Sequence, residues 1–214
     1  MTGRFCRVEP LTEFHAADLY AANGLDHDGQ NWTYLGVGPF ADFEGYRAWV
    51  ASVVPSEDPQ FHAIIDLNTG KPVGVASFMR IEPKNGVIEV GHLNFSPALQ
   101  RTPAATEAMF LMMRRAFDEL GYRRYEWKCD SLNAPSRRAA ERLGFVYEGT
   151  FRQAMVYKGR SRDTAWFSII DGEWPALKTA FESWLAPANF DADGQQRSAL
   201  TALITAERAK TANR

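Results

Sequence analysis

The clearest structural pattern in the chain lies at residues 96–120, SPALQRTPAATEAMFLMMRRAFDEL. From Ala105 onward its apolar residues recur every three or four positions, the spacing of a helix that lays one stripe on a core. Thr102 is a suitable N-cap, and Pro103 would then occupy the first helical position, where its missing N–H costs little. Gly121 is typical of the residue that ends such a helix. The pattern predicts a core helix that begins at Pro103 and ends near Leu120.

The segment before this helix, Val87–Phe95, is rich in β-branched and apolar residues and predicts a strand. A strand that leads directly into a helix start presents unpaired backbone N–H groups and the positive end of the helix dipole. Such a place binds phosphate readily. The turn between strand and helix is therefore a candidate phosphate site.

The order of the other elements predicts an α+β fold with a mixed sheet. Tight-turn residues join three strands that should pair antiparallel, whereas a helix crosses over before the fifth strand and makes it parallel to its neighbour. The predicted strands are Arg4–Pro10, Phe61–Asp66, Val73–Ile81, Val87–Phe95, Arg124–Cys129, Phe145–Lys158 and Asp163–Ile170. The other predicted helices run from Thr12 to about Ala22, from an Asp42 cap, over Asn133–Leu143 and over Glu173–Leu185. Residues 1–186 are predicted as one domain, and 187–214 as a tail that forms a short helix, is partly disordered or pairs with another subunit.

Composition narrows the class of protein. With 24 Lys and Arg against 26 Asp and Glu, the net charge of −2 does not predict a nucleic-acid partner. Cys6 and Cys129 are the two cysteines, which favours a reducing compartment and no disulfide. We expect a soluble cytoplasmic protein without a membrane segment, and without a metal, because no His, Cys, Asp or Glu cluster has ligand spacing.

Several short motifs occur in a shared order. Gln100–Ala105, QRTPAA, resembles the acyl-CoA pyrophosphate loop of GCN5-related N-acetyltransferases, Q/R-x-x-G-x-G/A. The flanking IEVGHLNFSP and ATEA resemble the ribosomal-protein (RimJ/RimL-like) branch of that superfamily. Asn133-Ala-Pro-Ser136, followed by Leu143-Gly-Phe145, resembles the second signature of the branch. The resemblance covers the chain from about Arg7 to Asp171.

This resemblance implies an acetyl-CoA-dependent enzyme that acetylates a primary amine, either a protein N-terminus or a small amine, by direct transfer in a ternary complex. It implies a mostly antiparallel sheet of about seven strands with helices on both faces, and a wedge between the fourth and fifth strands for the pantetheine arm. Backbone N–H groups near Phe95 would hold the thioester carbonyl. The pyrophosphate would bind at the turn residues Gln100, Arg101, Thr102, Ala104, Ala105 and Thr106. A homodimer is left open.

Three side chains are candidates for catalysis or for binding the cofactor. Asn133 would hydrogen-bond the pantetheine arm and Ser136 would donate a proton to the leaving sulfur, although both residue types also suit a helix cap. Glu89 is the candidate general base, and the alternative is a structural ion pair with a helix arginine. Strand alternation places Glu89, Gly91, Leu93 and Phe95 on one face, with His92 and Asn94 on the other. His92 and Cys129 are more typical of packed core residues than of catalytic groups.

One residue departs from the family pattern. Pro103 stands where the loop usually has glycine. It removes one backbone N–H donor from the phosphate-binding turn and cannot adopt a positive φ. A rival interpretation is therefore a non-catalytic relative that binds acyl-CoA or a partner protein as a sensor. The long loop Leu25–Phe40 is also open to two interpretations, an acceptor pocket or a loop anchored by Trp32 and Tyr34.

Overall fold

A computed structural model describes residues 1–212 and confirms the predicted mixed sheet. The seven strands lie in the order β1-β2-β3-β4-β5-β7-β6, and every neighbouring pair is antiparallel except β4 and β5, which are parallel. The strands are β1 Cys6–Pro10, β2 Gln60–Asp66, β3 Lys71–Glu82, β4 Val87–Phe95, β5 Arg124–Asp130, β6 Val146–Tyr157 and β7 Arg160–Ile170.

Six α-helices accompany the sheet within the described residues. They are α1 Ala16–Asn23, α2 Phe43–Val53, α3 Pro103–Arg114, α4 Ala134–Arg142, α5 Trp174–Leu185 and α6 Leu200–Ala212. Two predicted caps are confirmed, because Thr102 Oγ1 accepts from the Ala105 N–H at 3.2 Å and Asp42 Oδ1 accepts from the Gly45 N–H at 2.8 Å. After α3 the chain makes a π-helical turn, Arg115–Glu119, before Gly121 adopts a φ of 70°. The helix predicted from Thr12 begins instead with a 3-10 turn, so α1 starts at Ala16.

The sheet separates two apolar layers. The larger layer packs α3, α4, α5 and α6 against one face, and its buried cluster includes Met112 and Phe181 of these helices with Ile88 and Val90 of β4. The smaller layer packs α1 and α2 against β2 and β3 on the opposite face, with Leu19 and Tyr46 at its centre. Helices therefore cover both faces, as predicted.

The first strand is shorter than predicted because a helix side chain binds the residues before it. The buried carboxylate of Glu107 on α3 accepts the backbone N–H groups of Arg4, Phe5 and Cys6 at 2.7, 2.6 and 2.8 Å. Hydrogen bonds to a charged acceptor are stronger than those between strands. β1 consequently begins at Cys6 rather than Arg4.

The C-terminal segment forms a packed helix. Leu200 and Ile204 of α6 are buried in the larger layer beside α5, and Arg208 donates to the carbonyl of Gly144 at 2.7 Å. Of the possibilities predicted for the tail, the short helix is therefore the one observed. Residues 213 and 214 of the predicted tail lie outside the described residues. Over residues 1–212 the structure has no helix long and apolar enough to span a membrane.

Candidate active site

A wedge opens in the middle of the sheet between β4 and β5. The two strands pair from Val87 with Arg124 to Val90 with Trp127 and then separate. Beyond that point β4 continues beside β3, and β5 continues beside β7. The backbone edges that face each other across the gap have lost their sheet partners, so they are free to bind an extended ligand. The predicted wedge is confirmed.

The face assignment of β4 is wrong beyond Gly91. Ser77 of β3 pairs with Gly91 and Val75 pairs with Asn94, so two residues of β4 oppose one residue of β3. This β-bulge is centred on His92, which has a φ of 48°. The extra residue reverses the alternation, and Asn94 consequently shares the face of Val75 and Glu89, whereas Phe95 turns toward the larger core layer.

The predicted pyrophosphate turn lies at one end of the wedge. Arg101 adopts a φ of 61°, and Pro103 occupies the first position of α3 after the Thr102 cap. The Thr102 and Ala105 N–H groups are engaged within the turn, whereas those of Arg101 and Ala104 have no hydrogen-bond partner among the described residues. Of the predicted pyrophosphate residues, Arg101 and Ala104 therefore keep free backbone donors, whereas Thr102 and Ala105 do not.

Two other side chains of this turn make contacts that the sequence did not predict. Gln100 Nε2 donates to the Phe95 carbonyl at 2.8 Å and to Asn31 Oδ1 at 2.8 Å. The Thr106 hydroxyl accepts from Arg142 of α4 at 3.1 Å and is buried. Two of the predicted pyrophosphate residues therefore make structural contacts. Thr106 connects α3 to α4, and Gln100 connects the turn to the end of β4.

Asn133 and Ser136 lie at the start of α4, beside the end of β5. Asn133 Oδ1 accepts the Ser136 N–H at 3.1 Å, so Asn133 is the N-cap of α4, and its amide Nδ2 is left to donate elsewhere. Ser136 Oγ accepts from the indole Nε1 of Trp127 at 3.0 Å. Because indole can only donate, this bond fills a lone pair of Ser136 and leaves its own proton available.

Cys129 lies beside Ser136 at the end of β5 and is buried. Burial raises the pKa of the Cys129 thiol above its ordinary value, although the neighbouring Ser136 hydroxyl lowers it. The group is therefore a protonated thiol near neutral pH and a poor nucleophile. This state agrees with the interpretation of Cys129 as a packed residue.

Glu89 is the centre of a buried ion-pair network. Its carboxylate lies 2.8 Å from Arg80 Nη1 of β3 and 2.8 Å from Lys128 Nζ of β5. Lys128 also contacts Glu126 at 2.7 Å, and its ammonium lies 3.8 Å from the centre of the Trp166 ring. Glu89 therefore forms the ion pairs that were the alternative to a role as general base. Its partners lie on strands rather than on a helix.

The loop before α2 reaches both sides of the wedge. Asn31 Nδ2 donates to the Phe95 carbonyl at 3.2 Å, and the Tyr34 hydroxyl donates to the Leu132 carbonyl at 3.1 Å. Trp32 is buried in the smaller core layer, which agrees with the anchored-loop interpretation. The same loop also borders a cavity of about 290 Å³ between α1 and α2, lined in part by Asp26, His27 and Trp32. No group of three or more metal-binding side chains occurs within residues 1–212.

The mixed sheet with its wedge and the helix-start turn define a fold of the acyl-CoA-binding transferase type. A family model described as an acetyltransferase (GNAT) domain matches residues 6–146. The crystal structure of a GCN5-related N-acetyltransferase from Brucella melitensis is similar, with a TM-score of 0.93 and 51% identity over 95% of this chain and 93% of that one. The uncharacterized N-acetyltransferase p20 of Bacillus licheniformis is 26% identical over 145 residues, 66% of this chain and 80% of that protein.

The chain therefore belongs to the GNAT acetyltransferase family, and the predicted resemblance and enzyme class are confirmed. It also shares its fold with RimL, a ribosomal L7/L12 alpha-N-protein acetyltransferase solved in complex with coenzyme A. That likeness has a TM-score of 0.66 and 20% identity, and it covers 80% of this chain and 97% of that one. At this level of identity the likeness shows a shared fold.

Proposed function

We propose that this protein transfers an acetyl group from acetyl-CoA directly to a primary amine, a protein N-terminus or a small amine, while both substrates are bound. The observation that carries the proposal is the wedge, which opens after Val90 and Trp127 with the α3 turn at one end and Asn133 and Ser136 at its side. An extended pantetheine arm needs such unpaired strand edges. The fold shared with a CoA-bound relative supports the same cofactor.

The chemistry is assigned to groups around the wedge. The amine nitrogen attacks the thioester carbon, backbone N–H groups near Phe95 stabilise the oxyanion, and the carbon–sulfur bond breaks. Ser136 donates its free proton to the departing thiolate and recovers one from the tetrahedral ammonium, so that the products are the amide and the CoA thiol. The protonated state of Cys129 supports direct transfer over an acetyl-cysteine intermediate.

The proposal is tested by thermal denaturation with acetyl-CoA, CoA and longer acyl-CoAs, followed by thiol release with a panel of free amino acids, alanyl and seryl peptides, and alkyl and aryl amines. A ligand that binds the folded state raises the melting temperature. Stabilisation with thiol release from at least one amine supports the enzyme. Stabilisation without thiol release from any amine would favour the acyl-CoA sensor, and no stabilisation at millimolar acetyl-CoA would contradict both.

Asn133 offers a test of the cofactor position. Asn133→Asp keeps the oxygen that caps α4 but removes the free amide donor, so we expect the melting temperature to change little while acetyl-CoA affinity falls about tenfold, since one hydrogen bond is lost. Asn133→Ala should lose both the cap and the contact. Acetyl-CoA titrations that give equal affinities for Asn133→Asp and the native protein would leave Asn133 as a cap alone.

Pro103 tests whether the turn still binds the cofactor. Proline removes one N–H, worth about 1 kcal/mol, but it also fixes φ at the helical value before the ligand arrives, which returns a comparable amount. We expect Pro103→Gly to change acetyl-CoA affinity by less than about tenfold in a calorimetric titration. If glycine created binding that the native protein lacks, the native turn would be non-functional.

A further inference from the structure

His92 lies on the bulge of β4, two residues beyond the last residue that pairs with β5. Its ring is half-buried, lies 4.9 Å from the Phe61 ring centre and has Nδ1 at 2.9 Å from Ser77 Oγ. Ser77 of β3 pairs with Gly91 of β4, and Met79 of β3 pairs with Glu89 of β4. Because residues two apart in a strand point to the same face, Ser77 and Glu89 share one face of the sheet. The bulge therefore brings the His92 ring to the Glu89 face, contrary to the simple alternation.

The hydrogen bonds of Ser77 determine the tautomer of this histidine. Ser77 Oγ lies 3.1 Å from the Gly91 carbonyl, which can only accept, so the hydroxyl proton of Ser77 belongs to that bond. Ser77 Oγ must then accept from His92 Nδ1–H. The opposite assignment would lose the bond to Gly91 and leave an Nε2–H without an acceptor among the described residues. Ser77 thus holds His92 as the Nδ1–H tautomer, with a free lone pair on Nε2.

Burial and one nearby positive charge keep the His92 ring neutral. Burial lowers the pKa of His92 below its ordinary value, and the positive Arg80 of β3 lowers it further. Three further charged groups lie on this face, Glu89 of β4 with Glu126 and Lys128 of β5, and all three are engaged in the ion-pair network. β2 contributes the uncharged Phe61, which packs against Trp49 of α2. Near neutral pH, His92 is consequently an unprotonated base, whereas Glu89 Oε2 is contacted by two cations.

We propose that His92 Nε2, rather than Glu89, accepts the first proton from the incoming ammonium, directly or through one water molecule. The inference rests on the proposed acetyl transfer. The ammonium loses one proton to Nε2 and becomes a nucleophilic amine. That amine attacks the thioester carbon as described above, its second proton reaches the thiolate by way of Ser136, and the imidazolium releases its proton to solvent. Ser77 is a positioning residue because it fixes which nitrogen is basic.

His92→Asn is the sharpest variant for testing this inference. Asparagine tolerates the left-handed backbone of position 92 and can still donate to Ser77, but it has no titrating nitrogen. With the fastest amine of the panel at saturating acetyl-CoA, we expect kcat to fall about 10²-fold and the acidic limb of the pH–rate profile to disappear. The KM for acetyl-CoA should stay unchanged.

His62 provides the matched control. It is also a buried strand histidine whose pKa burial lowers, but it packs against Phe78 on the opposite face of the sheet. His62→Asn should keep the native kcat and pH profile. Ser77→Ala should keep a base but move the acidic limb to lower pH, because the imidazolium loses its hydrogen-bond acceptor.

Nuclear magnetic resonance of ¹⁵N-histidine-labelled protein tests the inference without any substrate. The chain has four histidines, and loss of one signal in His92→Asn assigns its resonance. An Nδ1–H tautomer near neutral pH supports the inference; an Nε2–H tautomer or an imidazolium would overturn it. An active His92→Asn variant that keeps its acidic limb would overturn it too, while acetyl transfer itself would stand. If no amine releases thiol from the native protein, the proposed function fails, and the catalytic role of His92 fails with it whatever its tautomer.

Discussion

Lys128→Met is expected to lower the free energy of unfolding by about 3–5 kcal/mol, because it leaves buried carboxylates without their shared cation. Lys128 and its partners Glu89 and Glu126 are each less than a tenth exposed, and the ammonium lies within 2.8 Å of both carboxylates. Arg80 still contacts Glu89, and Arg124 still contacts Glu126, so each carboxylate keeps one partner. The melting temperature should fall by about 10 °C for a chain of this size.

The control for Lys128→Met is Lys178→Met, which breaks an ion pair of the same length at the surface. Lys178 Nζ lies 2.8 Å from Asp118, but both side chains are about a third exposed. Exposed pairs contribute at most about 1 kcal/mol. Equal losses for the two variants in urea denaturation would mean that the buried network does not stabilise the fold.

The same network should make stability depend on acid pH. Burial alone would raise the pKa of Glu126, but the hydrogen bonds from Lys128 and Arg124 outweigh it and lower that pKa. The Arg124 hydrogen bond likewise lowers the pKa of Glu148 from 4.5 to about 2. Because these folded-state values lie below the unfolded ones, the stabilisation is complete above pH 4.5 and is lost as the pH falls toward 2. Lys128→Met should unfold at a higher pH than the native protein in an acid titration followed by circular dichroism.

Ser136→Ala is expected to reduce kcat about 10²-fold, with the acetyl-CoA dissociation constant changed less than about threefold. The reason is that the variant removes the hydroxyl proton assigned to the leaving sulfur, whereas the cofactor contacts assigned to Asn133 and the α3 turn remain. Steady-state thiol release, with acetyl-CoA binding measured separately, gives the two numbers.

Loss of Ser136 also removes the acceptor of the Trp127 indole, so a loss of stability alone would say little about catalysis. Trp127→Phe breaks the same hydrogen bond while it keeps the hydroxyl, and it should retain turnover within about threefold. If Ser136→Ala were equally active, the serine would serve only to hold Trp127 against α4.

Local patterns predicted the parts of the fold that local physics controls. The stripe that begins at Ala105, the Thr102 cap and the stop at Gly121 all depend on neighbours within a few residues, and α3 follows them closely. The parallel pairing of β4 and β5 follows from the crossover helix between them. These features need no knowledge of distant contacts.

Long-range contacts explain what the sequence could not predict. The residues that surround Glu89 come from β3 and β5, and only the strand register brings Lys128 beside it. Asn31 is far from Phe95 along the chain, and nothing in the loop marks the bond that joins them. The isolated Gly91 is a local signal of the bulge at His92, but simple alternation ignores it and places this histidine on the wrong face.

The bulge also affects how this site can change during evolution. It is one residue long, so the deletion of a single codon at position 92 or 93 would remove it, whereas no substitution can. Such a deletion would restore simple alternation and shorten the path from Gly91 to the α3 turn, while Asn94 and Phe95 would keep their present faces. Insertions and deletions at this point of β4, more than point mutations, are therefore the genetic events that would reshape the wedge among related proteins.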